Sequence, residues 1–282
     1  MTLDFPSGRD FGGISVVPFG NTIGARIIGL SLKDQIDTKV ISVLRRAISE
    51  YCLIAIPEQD IEPSQLVAFA NSLGELTIYH REELRHQQHP EIVVLTNRGR
   101  DGTLRPDNSG GTQWWHFDGI WQDHAYAATL LQMIQKPSDT GNTEFVDMRA
   151  VYEALVESLK AQVDGYAAEH WMNGGLERAT DTMVPNWQRA IHPIVRTDAL
   201  TGKRNLYVSP PHTVQIRELP RSASDDLLRA LYAFAERPEF RFEYDWREKD
   251  VVIWDNRVLL HKGSSSALEP RVLYRITIEE LE

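Results

Sequence analysis

The residues of this chain best suited to chemistry are two histidines and an aspartate: His116, Asp118 and His261. The first two are separated by a single residue, whereas His261 lies far downstream. Two imidazoles and one carboxylate on one face of an octahedral ion leave three positions open, and this ligand set suits a non-haem ferrous ion. We therefore predict a metal centre at these three residues, which are also the candidate catalytic residues.

Local structure has to bring these distant residues together. Residues i and i+2 of a strand point to the same face, so we expect His116 and Asp118 to lie on a single strand with Phe117 turned into the core. His261 would then close the triad from a strand that is distant in sequence. The intervening residues 254–257 (WDNR) favour a structural turn, in which the Asp and Asn side chains supply local hydrogen bonds.

Apolar periodicity predicts many short strands and a few helices. We expect strands at 14–19, 25–30, 52–56, 92–95, 129–135, 143–146, 191–196, 205–208, 240–246, 251–254, 258–261 and 271–278. We expect helices at 33–51, 64–73, 148–159 and 224–237, and a hairpin turn at 198–202. Helices segregated from strands indicate an α+β fold with a β-sandwich or jelly-roll core. The polar stretch 98–113 contains four glycines and is long for a loop, so we interpret it as an active-site flap.

Length and composition limit the possible classes of protein. We expect one domain over residues 1–282, because neither a linker nor a repeat divides the chain. The net charge of −10 argues against a nucleic-acid partner, which requires a basic face. With Cys52 as the single cysteine there is no intrachain disulfide, and its apolar neighbours predict a small buried side chain. Neither a signal peptide nor a membrane span is evident, so we expect a soluble, cytoplasmic protein.

The ordered motifs resemble those of one family, the iron(II)/2-oxoglutarate-dependent dioxygenases of the taurine dioxygenase and 2,4-dichlorophenoxyacetate dioxygenase (TauD/TfdA) type. The matching segments are 69–76, 115–118, 137–150, 202–208, 254–261 and 271–275. The resemblance runs from about residue 14 to residue 279, and segment 143–150 leans toward the aryloxyalkanoate branch. It implies a double-stranded β-helix (jelly-roll) core with flanking helices. It also implies iron(II), with 2-oxoglutarate and dioxygen as co-substrates.

The resemblance also implies roles for residues around the triad. Arg271, ten residues past His261, would hold the far carboxylate of 2-oxoglutarate, because a planar guanidinium matches a carboxylate better than an ammonium does. Thr143 would hydrogen-bond the same carboxylate. Arg275 would face the acidic group of the substrate. Arg271 and Arg275 share one face of a predicted strand, where two cations are costly unless they meet anions.

The family's substrate contacts map onto five positions of this chain: Tyr79, His80, Thr112, His212 and Arg275. We expect the substrate to be a small organic anion, and a carboxylate such as an aryloxyalkanoate is favoured. Its hydroxylation would release succinate and carbon dioxide. If the oxidised carbon bears an ether oxygen, sulfonate or sulfate, the product would collapse with cleavage of that bond.

The substrate positions depart from those of the taurine-specific members. Those enzymes have a histidine where Tyr79 aligns, an asparagine where Thr112 aligns and an aromatic residue where His212 aligns. A histidine at this last position is closer to the aryloxyacetate-degrading members. Trp114 and Trp121 flank the His-x-Asp pair and are candidates to line an apolar pocket, although core packing is the commoner use of tryptophan.

Three alternatives remain open from the sequence. A sulfonate or alkyl-sulfate dioxygenase of the same family fits the same motifs. A zinc hydrolase could use the same His, Asp and His ligands, but it has no need for Arg271 as a co-substrate clamp. A metal-free binding module on the same fold would not require an intact triad. Homo-oligomers are common in the family, although the sequence identifies no interface.

Overall fold

The computed structural model describes residues 13–20, 23–99, 101–105, 113–138, 140–172, 188–199, 201–263 and 269–281. It is an α+β structure in which three sheets and a short hairpin are flanked by helices. The helices are α1 (Thr38–Tyr51), α2 (Pro63–Leu73), α3 (Met148–Ala154), α4 (Glu157–Val163) and α5 (Arg221–Ala235). The strands are β1 (Ser15–Pro18), β2 (Ala25–Ile28), β3 (Leu53–Ile56), β4 (Gly74–Leu76), β5 (Val93–Thr96), β6 (Ala128–Gln135), β7 (Thr143–Asp147), β8 (Ala167–Trp171), β9 (Arg189–Pro193), β10 (Val195–Thr197), β11 (Arg204–Leu206), β12 (Thr213–Ile216), β13 (Arg241–Tyr244), β14 (Val251–Asp255), β15 (Leu259–Gly263) and β16 (Val272–Leu281).

The largest sheet has the strand order β1-β2-β3-β14-β6-β16-β4, with β5 also paired to β16. Its pairs are antiparallel except for β2 with β3. One face of this sheet packs against α1 and α2, and Leu44, Ile48 and Leu66 of these helices share a core with Ile54 and Ile276 of the strands. Every residue of β14 is buried, which follows from its central position between two covered faces.

The other face of the large sheet packs on a smaller sheet with the order β13-β7-β15. Phe145 and Leu259 of the small sheet share this second core with Leu131, Val252 and Leu273 of the large one. Side chains on β16 therefore alternate between two buried environments, with Leu273 toward the small sheet and Ile276 toward the helices. This alternation places alternate residues of β16 in the space between the two sheets.

A third core lies beyond the small sheet. It joins α3 and α5 to a three-stranded sheet with the order β12-β8-β9 and to the hairpin β10–β11. Phe117 and Tyr207 are fully buried there, with their ring centroids 4.8 Å apart. The hairpin turns at Asp198, whose carboxylate accepts a hydrogen bond from the backbone N–H of Thr201 at 2.6 Å, so the predicted turn at 198–202 is confirmed.

Two helix predictions need correction. The helix expected at 33–51 begins only at Thr38, because the side chain of Asp37 caps the backbone N–H of Lys39 and so fixes the first turn there. The single helix expected at 148–159 is two helices, because Leu155 and Val156 both have extended backbone angles. The predicted burial of Cys52 is confirmed, and this residue ends α1 in the left-handed conformation.

Two remaining predictions concern the domain and the flap. Of residues 98–113, the structure describes 98, 99, 101–105 and 113, and the rest of the predicted flap lies outside the described residues. The described part forms a tight loop, in which the N–H of Gly99 donates to the carbonyl of Thr103 at 2.8 Å. A flap function and a single domain over 1–282 stay predictions. None of the helices in the described part of the chain is long and apolar enough to cross a bilayer.

Candidate metal centre and its two cavities

His116 and His261 meet through their backbones. An isolated antiparallel bridge joins them, with N–H to O=C distances of 2.9 and 3.0 Å, and their ring centroids are 4.2 Å apart. His261 belongs to β15, so the small sheet supplies one side of the site. Phe117 points into the third core, as the sequence predicts.

The prediction that one strand carries both His116 and Asp118 is wrong. Only His116 makes a β-bridge, and Asp118 begins a turn. The reason is Asn256, whose side-chain amide forms hydrogen bonds with both backbone groups of Asp118. Oδ1 of Asn256 accepts from the N–H of Asp118 at 3.0 Å, and Nδ2 donates to the carbonyl of Asp118 at 2.6 Å. Gly119 then turns the chain at a φ of +68°.

The ligand atoms of His116, Asp118 and His261 all lie within 4.8 Å of one another. Nε2 of His116 is 3.6 Å from Oδ1 of Asp118, and Nε2 of His261 is 3.8 Å from Oδ2. Nδ1 of His116 lies 2.8 Å from the carbonyl of Trp114, so in the neutral ring it donates this bond and leaves Nε2 as the free acceptor. Three donor atoms therefore converge on one space and are too far apart to saturate each other.

The charge state of the triad suits a cation. Burial lowers the pKa of His261 to about 3, and the neighbouring His116 acts in the same direction. Burial would raise the pKa of Asp118, but Arg275, His116 and His261 outweigh it and hold that pKa well below its usual range. At neutral pH the site therefore presents a neutral imidazole at His261 and an ionised carboxylate, which are the forms that ligate metals.

Two further side chains hold the carboxylate of Asp118 in place. The hydroxyl of Thr129, on β6, donates to Oδ2 at 2.8 Å and is fully buried. Asn256 holds the backbone N–H and the backbone carbonyl of Asp118. The sequence assigned residues 254–257 only a structural turn and gave no signal for Thr129, because a β-branched residue in a strand is ordinary.

An inner cavity of about 380 Å³ opens on one side of the triad. Arg271, Thr143 and Arg275 line it together with His116, Asp118 and His261. The guanidinium of Arg271 is buried and donates from Nη2 to the carbonyl of Gly141 at 3.0 Å. Burial lowers the pKa of Arg271 to about 10, so it stays a cation at neutral pH.

The approach of Arg271 to Gly141 depends on a glycine. Gly141 has a φ of +94°, and a Cβ at this position would lie 3.2 Å from Nε of Arg271. Thr143, two residues later, accepts a hydrogen bond through Oγ1 from the indole N–H of Trp246 at 3.0 Å. The hydroxyl proton of Thr143 is therefore left to donate elsewhere. The structure thus brings Arg271 and Thr143 into one cavity, as the sequence analysis expected.

An outer cavity of about 390 Å³ adjoins the inner one, and His116 and Asp118 line both. The predicted substrate residues Tyr79, His80, His212 and Arg275 line it, whereas Thr112 lies outside the described residues. Arg275 bounds both cavities: Nη1 is 3.6 Å from Oδ1 of Asp118, and its guanidinium carbon lies 5.0 Å from the ring centroid of Tyr79.

Three further aromatic side chains line the outer cavity. Trp114 and Trp121 line it, and the ring of Trp121 lies 4.6 Å from that of His212. Tyr126 also lines this cavity and packs directly over Gly119, where a Cβ would lie 2.5 Å from the ring. Tyr126 could not be found from the sequence, because a tyrosine eight residues past Asp118 belongs to no motif.

Comparisons with known proteins agree on one family. The model of the taurine catabolism dioxygenase TauD, TfdA family matches residues 15–277. The chain is 30% identical to an (S)-phenoxypropionate/alpha-ketoglutarate-dioxygenase of Sphingobium herbicidovorans over 268 residues, covering 88% of each chain. It is 27% identical to an alpha-ketoglutarate-dependent 2,4-dichlorophenoxyacetate dioxygenase of Cupriavidus pinatubonensis, covering 87% of this chain and 90% of the relative.

A solved structure supports the same fold. The crystal structure of a putative alpha-ketoglutarate-dependent taurine dioxygenase from Burkholderia xenovorans superposes with a TM-score of 0.80 at 29% sequence identity. The match covers 94% of this chain and 92% of that one. The expected α+β class with a sheet-rich core is therefore confirmed.

Removing the amide of Asn256 is expected to weaken metal binding. Asn256→Ala frees both backbone groups of Asp118, so we expect the affinity for manganese(II) to fall about 10- to 100-fold, as for other residues that orient a ligand. Isothermal titration calorimetry measures the affinity, and Asn71→Ala on the exposed face of α2 is the control. An unchanged affinity in a folded Asn256→Ala variant would mean that Asp118 needs no such support.

The protein is expected to lose stability as the pH falls, and His212 contributes to this loss. Burial lowers the pKa of His212 from an ordinary 6.5 to about 3. Between these two pH values the unfolded chain binds a proton that the folded protein does not bind. This contribution to the free energy of unfolding is complete above pH 6.5 and is lost toward pH 3, at about 1.4 kcal/mol per pH unit.

His212→Gln should therefore flatten the loss of stability between about pH 6 and about pH 4. Urea unfolding across this range measures it, and His124→Gln at an exposed position is the control. Equal pH slopes for His212→Gln and the wild type would contradict the assignment.

Proposed function

The chain belongs to the taurine catabolism dioxygenase TauD, TfdA family, and from that premise we propose which residues carry its reaction and what it oxidises. The protein is a 2-oxoglutarate-dependent dioxygenase, so 2-oxoglutarate and dioxygen are its co-substrates. We propose that its core is a double-stranded β-helix and that residues 1–282 form one domain. We also propose that residues 98–113 form an active-site flap and that Thr112 contacts the substrate.

We propose that His116, Asp118 and His261 hold iron(II) and are the catalytic residues. A ferrous ion bound there would activate dioxygen for the oxidation of a C–H bond. The donor set fits, because two imidazoles and one carboxylate converge and leave coordination positions open toward both cavities. The protein holds these donors rigidly, through the bridge between the histidines and the side chains that fix Asp118.

Arg271 and Thr143 are proposed to hold 2-oxoglutarate in the inner cavity. The buried guanidinium of Arg271 lines a cavity that the triad also lines, and a carboxylate would offset the cost of burying this cation. Thr143 lines the same cavity and has a hydroxyl proton to donate. A dicarboxylate can therefore place one end at Arg271 and the other at the triad.

The outer cavity is the proposed substrate site. Arg275 is its cation nearest to the triad, and the rings of Trp114, Trp121 and Tyr126 offer contact to a flat apolar body. We propose a small organic acid as the substrate, with a carboxylate such as an aryloxyalkanoate favoured, in line with the names of two relatives. Tyr79, His80 and His212 would contact this acid.

One observation carries the proposal: His116 and Asp118 of the triad line two adjoining cavities, with Arg271 lining the inner one and Arg275 lining both. A zinc hydrolase or a metal-free binding module has no use for two guanidiniums beside the triad. A sulfonate or sulfate ester remains the second candidate substrate. The resemblance to a putative taurine dioxygenase favours it, and the guanidinium of Arg275 suits a sulfonate as well.

A substrate panel tests the function. Aryloxyalkanoates, sulfonates and alkyl sulfates are offered with iron(II) and 2-oxoglutarate, and succinate formation and oxygen uptake are measured. We expect a carboxylate to stimulate both most strongly. His116→Ala, Asp118→Ala and His261→Ala should each abolish substrate-stimulated succinate formation, because each removes a ligand. Turnover close to that of the wild type in any of these variants would reject the proposed centre.

Arg271→Lys tests which of the two arginines, Arg271 or Arg275, binds 2-oxoglutarate. We expect this change to raise the KM for 2-oxoglutarate by at least about tenfold while metal binding is kept, because an ammonium cannot reproduce the paired hydrogen bonds of a guanidinium. Arg275→Ala is the matched variant, and it should raise the KM for the organic acid more than that for 2-oxoglutarate. The reverse order of effects would exchange the two assignments.

A further inference from the structure

A buried amide fixes the backbone that carries Arg271. Asn97 is fully buried directly after β5, and it contacts both backbone groups of Arg271. Its side-chain Oδ1 accepts from the N–H of Arg271 at 2.9 Å, and its backbone N–H donates to the carbonyl of Arg271 at 3.4 Å. Nδ2 of Asn97 donates to the carbonyl of Glu269 at 2.8 Å. One amide therefore holds residues 269–271 where the chain enters β16.

A second set of hydrogen bonds joins the same residues to the loop between β6 and β7. The carboxylate of Glu269 accepts from the N–H of Ser138 at 2.6 Å and from the hydroxyl of Ser138 at 3.0 Å. In this loop the carbonyl of Gly141 accepts from Nε and Nη2 of Arg271 at 3.3 and 3.0 Å. Thr143 follows as the first residue of β7. These bonds hold together the two segments that carry the proposed co-substrate residues, Arg271 and Thr143.

Asn97 and Glu269 act at a distance from any ligand. Neither is among the described residues that line the inner cavity, so an effect on a ligand there has to pass through Arg271 or the loop that it contacts. Arginine has a long side chain with many rotamers, and a ligand that must first order such a side chain binds more weakly. Hydrogen bonds that fix the backbone and the acceptor of Arg271 remove much of this cost before the ligand binds.

We propose that Asn97 and Glu269 are positioning residues for the co-substrate. They hold the guanidinium of Arg271 in the direction that meets the far carboxylate of 2-oxoglutarate. The inference rests on the proposed function, because it takes Arg271 as the residue that binds this carboxylate. Loss of either set of hydrogen bonds would leave 2-oxoglutarate to order the segment as it binds, and its affinity would fall.

The experiment compares two 2-oxo acids that differ only at the far end. The probes are 2-oxoglutarate and 2-oxopentanoate, in which a methyl group replaces the far carboxylate. Calorimetry measures their affinity for the protein loaded with manganese(II). We expect Asn97→Ala to lower the affinity for 2-oxoglutarate about three- to tenfold, the cost of ordering one long side chain, and to leave that for 2-oxopentanoate unchanged. An equal loss for both acids would indicate general damage to the site and would overturn the inference.

Two further variants accompany Asn97→Ala. Glu269→Ala changes an exposed side chain, so it does not disturb the core, and it should reduce the preference for 2-oxoglutarate in the same way. Gln59→Ala is the matched control, because Gln59 is also a buried amide that holds backbone groups, those of Leu30 and Leu32, but it lines neither cavity. It should keep the full preference. A wild-type preference in folded Asn97→Ala would overturn the inference, and if that variant does not fold, a wild-type preference in Glu269→Ala would do so.

A double variant shows whether the effect passes through the guanidinium. In the Arg271→Ala background, Asn97→Ala should cause no further loss of affinity for 2-oxoglutarate, because the group that it positions is gone. A further loss of the same size would mean that Asn97 acts by another route, and the inference would fall. A wild type that binds both acids equally would instead reject Arg271 as the co-substrate residue of the proposed function.

Discussion

The site depends on one local constraint, the attachment of the segment around His116 to the edge of β15. Two backbone hydrogen bonds join His116 to His261, and the amide of Asn256 holds Asp118 through its own N–H and carbonyl. Asn256 lies in the turn that leads into β15, so the same short piece of chain fixes all three donors. The geometry of the triad is therefore set by backbone contacts, which are stiffer than contacts between flexible side chains.

Charge balance follows from this geometry. A buried carboxylate, two buried histidines and two guanidiniums line one cavity. The depressed pKa of His261 keeps its imidazole neutral, and the nearby Arg275 keeps Asp118 ionised. The result is a place that favours a cation at the triad and anions next to the two guanidiniums.

Much of this arrangement could be predicted from the sequence, because it depends on residue type and order. Motifs and periodicity predict the set of His116, Asp118 and His261 and most of the strands. The family resemblance predicts a shared anion for Arg271 and Thr143, which line one cavity. What failed has a tertiary cause. No local pattern shows that Asn256 replaces a strand partner for Asp118, which is why the expected strand through Asp118 is a turn. Tyr126 and Glu91 reach the outer cavity only through packing, and sequence spacing does not record packing.

The two cavities differ in the kind of backbone that builds them. The inner one is lined largely by strands, including β5, β15 and β16, where a change of position would disturb two layers of packing. Turns and loops carry many residues that line the outer cavity, among them Tyr79, Glu91, Trp114, Trp121 and His212. Loops tolerate substitution because few buried contacts depend on them. On the proposed assignment, the co-substrate site is the one that packing holds constant, and the substrate site is the one built from loops. Substitutions in those loops are then the ones that change specificity without loss of the oxidation chemistry.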